Sequence, residues 1–182
     1  TLAGPGLADR TWEYDYGITN ESLYGTGSQV VYPCTSGCDQ EKVVTVINPD
    51  STSTEYRYGM LYAANEGRLL GSSVLDATGV VKRTQATTYM TDAQSAGQNF
   101  FPRYGIVLGD DDPSQAAVRP VIAQTTTQDG VTFGWSVPTG CTTSAKYCFD
   151  AYGNPTKVVR SSTLGYSRTE QITYVPDTNL LV

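Results

Sequence analysis

The chain has 182 residues, enough for one ordinary domain with a hydrophobic core. Charged residues make up only 16%, the net charge is −6 and no Lys/Arg run occurs, so nucleic acid and anionic membrane are poor partners. No apolar run approaches the roughly 20 residues needed to span a bilayer, and the absence of histidine removes Ser-His-Asp and Cys-His nucleophiles and His-ligated metals.

Thirteen tyrosines, against four phenylalanines and two tryptophans, suit strand faces that are apolar on the ring and wet at the hydroxyl. Abundant Thr and Val favour strands, and 18 glycines with nine prolines supply turns. The expected fold is all-β, a single segment over 1–182 built from antiparallel hairpins in a curved or sandwiched sheet, with at most one short helix. Thr1 opens no signal sequence, so a mature or excised segment is expected.

In chain order, Thr11-Trp12-Glu13-Tyr14-Asp15-Tyr16 alternates large apolar with polar residues, a half-buried strand that Gly17 ends. Residues 18–41 read as a long connection with one short strand near Gln29 to Tyr32. Lys42 to Ile47, the turn Asn48-Pro49-Asp50-Ser51, and Thr54 to Tyr58 make a hairpin. Asn65-Glu66-Gly67 turns into another strand. Val80 to Tyr89 follows, with mixed residues on both faces, which predicts an edge strand or one solvated on a side. Thr91 to Gln98 is the one helix candidate, capped by Thr91 or Asp92, and Phe100-Phe101-Pro102 is expected to anchor in the core. Val118 to Gln124, Val131 to Val137, Thr156 to Ser161 and Gly165 to Tyr174 are further strands. Asp129-Gly130 and Ala151 to Pro155 are the turns before the second and third of these.

The four cysteines form two close pairs, Cys34/Cys38 and Cys141/Cys148. Two local disulfides in an oxidising compartment are the preferred reading, although three pairings exist in principle. A four-cysteine zinc site is the rival, but neither pair has the two-residue gap of a zinc knuckle.

One unit recurs: an aromatic-ending strand, an Asp, a Gly- or Pro-containing turn, then a β-branched strand. Phe149-Asp150-Ala151-Tyr152-Gly153-Asn154-Pro155-Thr156-Lys157-Val158 is its clearest copy. Tyr14-Asp15-Tyr16-Gly17 is a partial one, and Val46 to Asp50 followed by Tyr56 to Gly59 is looser. A unit this small cannot bury its apolar face alone, so copies must sit side by side. On these residues, and on Leu164-Gly165-Tyr166-Ser167-Arg168-Thr169 with Tyr174, the chain resembles the RHS/YD-repeat family of bacterial surface and toxin-delivery proteins. The resemblance is strongest over the last forty residues. It implies a structural segment of a secreted or cell-surface protein, part of a β-sheet shell, with neighbouring repeats or copies of itself as partners. It also implies a possible role in binding cell-surface glycan. The chain is too short to close a shell alone. Asp112-Pro113 is followed by Ser114-Gln115 and not by the x-Gly associated with self-cleavage, so autoproteolysis is not expected.

Four groups of residues invite a sharper function. Trp12, Tyr14, Tyr16 and Trp135 are candidates for stacking on sugar rings; alternating strand residues ordinarily face a core, so packing is the expected role. Asp110, Asp111 and Asp112 are a weak calcium candidate without the alternating Asp-x-Asp order of a calcium loop, and a solvated acidic loop is expected. Asp15 and Asp150 start turns, with Phe149 and Gly153 flanking the second, and are expected to cap turn N–H groups rather than act as catalytic acids. A carboxylate-pair hydrolase is the remaining enzymatic alternative, and no spacing points to such a pair. No catalytic residue and no cofactor is expected.

Overall fold

The computed structural model describes residues 2–4, 7–17, 39–61, 65–101 and 118–175. The fold is all-β. Strands β1 (Leu2–Gly4) and β2 (Leu7–Arg10) pair as an antiparallel ribbon that the alternation pattern did not announce. Nine more strands follow: β3 (Glu13–Asp15), β4 (Glu41–Ile47), β5 (Ser53–Gly59), β6 (Leu69–Leu75), β7 (Val81–Tyr89), β8 (Val121–Gln128), β9 (Val131–Ser136), β10 (Lys157–Ser162) and β11 (Ser167–Gln171). They are hydrogen-bonded in the order β11-β10-β9-β8-β7-β6-β5-β4-β3, so each strand neighbours its predecessor in sequence. The expectation of an edge position for Val80 to Tyr89 is corrected, because β7 lies between β6 and β8. Its mixed faces reflect solvent, with Val81, Lys82, Arg83 and Ala86 all exposed. The strand expected near Gln29 to Tyr32 lies outside the described residues.

The chain divides into two compact units, Thr1–Thr87 with Thr125–Thr132, and Thr88–Gln124 with Phe133–Val182. In the first, β3 to β7 form antiparallel ladders with register shifts at Arg57/Tyr58 and Val74/Leu75. Val44 opposes Tyr56, and Tyr56 opposes Ser72, which opposes Gln85. Among the described residues of this unit only Gly59 and Gly71 are buried. Glycine at 71 is a steric requirement. A Cβ there would come within 2.5 Å of the Gln85 carbonyl oxygen and 2.8 Å of the Arg57 guanidinium.

The second unit has a core. Val137, Cys148 and Val158 form its centre, with Trp135, Tyr147, Phe149 and Ile172 packed around them. Met90, Val118 and Ile122 are also buried. Helix α1 (Asp92–Ala96) begins at Thr91, whose hydroxyl accepts from the Gln94 N–H while the Gln94 side chain accepts from the Thr91 N–H. Thr-x-x-Gln is the sequence form of this reciprocal cap. The helix is only five residues long, so tertiary contacts must hold it. Ser95 Oγ donates to the Val118 carbonyl at 2.7 Å, Gln94 Nε2 donates to the Tyr147 hydroxyl at 3.1 Å, and buried Arg119 pairs with Asp92. Phe100 meets Phe149 edge-on, with centroids 6.0 Å apart. The expectation that Phe101 also anchors in the core is corrected. Phe101 is exposed and lies against the equally exposed Tyr152.

Candidate functional site

Four connections share one geometry. In residues 48–52, 76–80, 150–154 and 162–166, the first N–H donates to the fifth carbonyl and the fourth N–H donates to the first carbonyl. The fourth residue is left-handed in each: Ser51 (φ 65°), Gly79 (80°), Gly153 (85°) and Gly165 (87°). This is a type I turn closed by a bulge residue, a form that matches strand twist and wants glycine at its fourth position. In three of the four, the first side chain caps the loop. Asp76 Oδ1 accepts from the N–H of Thr78 and Val80, at 2.9 and 3.0 Å. Asp150 Oδ1 accepts from the N–H of Tyr152 and Asn154, at 2.9 and 2.8 Å, and Oδ2 accepts from Asn154 Nδ2. Ser162 Oγ accepts from the Leu164 N–H. Asp15 makes a shorter version, accepting from the N–H of Gly17, which has φ 60°. The β8–β9 connection differs: Asp129 and Gly130 are both left-handed, the two-residue hairpin turn that Asp-Gly favours.

Asp76 is the member that reading along the sequence passed over. Asp-Ala-x-Gly occurs at 76–79 and again at 150–153, and that identity is the signal that reveals it. The Lys82 ammonium, 2.8 Å away, followed by the Thr78 hydroxyl and the Val80 N–H, holds the Asp76 carboxyl well below its ordinary range. Asp50 is lowered too, by the Thr52 hydroxyl and then the Thr52 N–H. These carboxylates are anchors of turns, saturated with donors from their own loops.

The first unit presents a sheet whose two faces differ. Residues opposite one another in register share a face, as do alternate residues along a strand. Tyr14, Val46, Thr54, Val74 and Arg83 therefore form one row on one face. Val44, Tyr56, Ser72 and Gln85 form the next row of that face. The opposite face carries Glu13, Asp15, Glu55 and Arg57 among Thr45, Ile47, Ser73 and Thr84. One face thus carries Tyr14 and Tyr56 with the cation Arg83, while the other carries the carboxylates and Arg57 among Val43, Ile47 and Leu75.

Trp12, Tyr14 and Tyr16 follow one another at alternate positions along the edge strand, 37%, 57% and 61% exposed. Their expected packing in a core is corrected, because all three are exposed, and the buried positions among the described residues of the first unit are two glycines. Trp135 is set apart from these three. It is half-buried in the second unit and packs on the Val137–Cys148–Val158 cluster. The structure therefore does not gather the four rings into one platform.

In the second unit, a cavity of about 210 Å³ opens between the segment after α1 and the 141–151 loop. Phe100, Tyr147 and Phe149 line it with Asn99, Lys146 and Asp150. Lys146 Nζ donates to Asn99 Oδ1 at 2.7 Å. Its volume falls below the roughly 300–1,000 Å³ of ordinary small-molecule sites. Asp150 is the single carboxylate among the described residues of its lining, and that group is engaged in its turn. A carboxylate pair is not assembled there. Among the described residues no group of three or more His, Cys, Asp or Glu side chains is placed to hold a metal ion. Asp110, Asp111, Asp112, Cys34, Cys38 and Pro102 lie outside the described residues.

Cys141 and Cys148 are joined in a disulfide, with Cα atoms 5.2 Å apart, and Cys148 is 1% exposed. The bridge closes the loop that walls the cavity. Among the described residues no helix is long and apolar enough to cross a membrane. No protein-family model, no curated protein and no solved structure matches the chain.

Proposed function

We propose that the chain is a non-catalytic wall segment of an exported protein of the RHS/YD-repeat kind. The carrying observation is the repeated capped hairpin loop, found four times in described sequence and twice as Asp-Ala-x-Gly. Repetition of one small hairpin unit is the economy of a repeat sheet, in which each unit relies on its neighbours. Asp15, Asp50, Asp76 and Asp150 are engaged in hydrogen bonds of their own turns, which supports a structural role for them. The disulfide supports an oxidising compartment, hence secretion or a cell surface.

A second reading is a carbohydrate-binding surface, and the exposed row Trp12, Tyr14 and Tyr16 favours it. Rings projecting from an edge strand suit stacking on a pyranose, with the Tyr hydroxyls free to bond sugar hydroxyls. A glycan array and a panel of glycoside and peptide substrates separate the readings. The wall segment shows neither saturable sugar binding nor turnover. Saturable binding lost on Trp12→Ala, with an unchanged circular dichroism spectrum, replaces it with the glycan reading.

A further inference from the structure

The aromatic face of β3 to β7 is built to lie against itself, and we infer that its occupant is the same face of a second copy of this chain. The inference rests on the reading of the chain as an assembling wall segment and names the partner. Consider a twofold axis running parallel to β5, midway between two copies stacked face to face. Such an axis keeps position along the strand and reverses strand order, so β3 of one copy lies over β7 of the other. The row Tyr14, Val46, Thr54, Val74, Arg83 then meets its own reverse. Thr54 faces Thr54, Val46 faces Val74, and Tyr14 faces Arg83. The last pair sets a guanidinium over a phenol ring, an attractive arrangement. In the next row Tyr56 meets Tyr56 and Val44 meets Ser72. The self-complementary pattern is what an isologous contact requires.

Charge decides which face is used. The aromatic rows carry the cation Arg83 and no carboxylate. On the opposite face the row Asp15, Thr45, Glu55, Ser73, Thr84 would bring Glu55 onto Glu55, and like charges in contact oppose pairing. Each copy has the exposed groups this needs: Tyr14 and Val74 are exposed, and Arg83 is exposed on the same face. Sheets stack at about 10 Å and cross at about 30°, a displacement a long Arg side chain spans. From strand spacing and rise, the face covers on the order of 500 Å² per copy, about 1,000 Å² in all, the lower limit of a specific interface. A concentration-dependent dimer is therefore expected, not a permanent one.

Sedimentation velocity on the full chain, from about 5 to 500 μM, should show a monomer passing into a dimer that does not grow further. Thr54→Cys, treated with a short bis-maleimide that can span the roughly 10 Å between stacked sheets, should give a crosslinked dimer on a denaturing gel, whereas Glu55→Cys, next in sequence but on the opposite face, should not. Arg83→Glu, an exposed change, should weaken dimerisation roughly five- to thirtyfold, the effect of losing the two symmetry-related cation–ring contacts. A chain that stays monomeric throughout, or one in which Glu55→Cys links as readily as Thr54→Cys, overturns the inference. Sugar binding through Trp12 in a strict monomer would overturn the wall-segment reading as well. A monomer without sugar binding removes the dimer alone.

Discussion

The two units use the same hairpin loop and the same strand chemistry, yet among the described residues only the second shows a hydrophobic core. In the first unit the described buried positions are two glycines. In the second, Met90, Val118, Ile122, Val137, Cys148 and Val158 are all buried. The difference is what interrupts the strands. Between β9 and β10 the second unit inserts a disulfide-closed loop whose Tyr147, Cys148 and Phe149 join Val137 and Val158, and between β7 and β8 it inserts a capped helix tied to that loop through Gln94 and Tyr147. The first unit joins β4 to β5 and β6 to β7 by minimal loops that have nothing left over to fold back.

Several measurements break or sharpen that contrast, and the two tryptophans report on it separately, Trp12 in the first unit and Trp135 in the second. The largest effect is expected from opening the disulfide. Cys141→Ser with Cys148→Ala removes an eight-residue closed loop, for which chain entropy gives about 2.5 kcal/mol. Urea unfolding of the second unit, followed by Trp135 fluorescence in a Trp12→Phe background, should shift by that amount. Val158→Ala comes next. At 1% exposure it leaves a cavity in the centre of the core and should cost about 2 kcal/mol by the same readout. The corresponding truncation in the first unit, Val46→Ala, is half-buried and should cost less than about 1 kcal/mol at micromolar protein. A cost near that of Val158→Ala would mean that the aromatic face is already covered in the monomer, and the contrast would fail.

The loops yield smaller effects. Asp150→Ala should cost on the order of 1 kcal/mol, the loss of a cap, with no other phenotype. Ser51→Gly should stabilise by about 1 kcal/mol in thermal unfolding, because Ser51 holds φ 65° where its three counterparts are glycine. Acid titration tests Asp76. Its folded pKa lies below the ordinary 3.8, so the stabilisation is present above about pH 4 and is lost as pH falls through the depressed value. Asp76→Asn should flatten that acid limb, and an unchanged limb would refute the role of the Lys82 pair.

Much of this architecture was legible in the residues. Alternation located β4, β5, β9 and β10 to within a residue or two, and the Pro-Asp and Asp-Gly corners marked their turns. Cap chemistry placed α1 at Thr91. What the pattern did not carry was burial. Tyr14 and Trp135 both sit in alternating strands, yet one is exposed and the other packed, because their surroundings come from segments distant in sequence. A period of two states that a strand has two faces; it does not state what covers either. The Asp76 loop was missed for a different reason. No aromatic residue precedes it, Leu75 standing where Phe149 stands in the other copy, so a search keyed on the ring passed over the identical Asp-Ala-x-Gly.

The strand order has one more consequence. Because each of the nine strands pairs with the strand just before it in the chain, most ladders, all but β3–β4, β7–β8 and β9–β10, close between residues close in sequence. Loop-closure entropy is small for such contacts, which speeds folding relative to β proteins of long-range topology. A chain of this kind can be laid down progressively as it is synthesised, each hairpin docking on the last without waiting for the end to arrive.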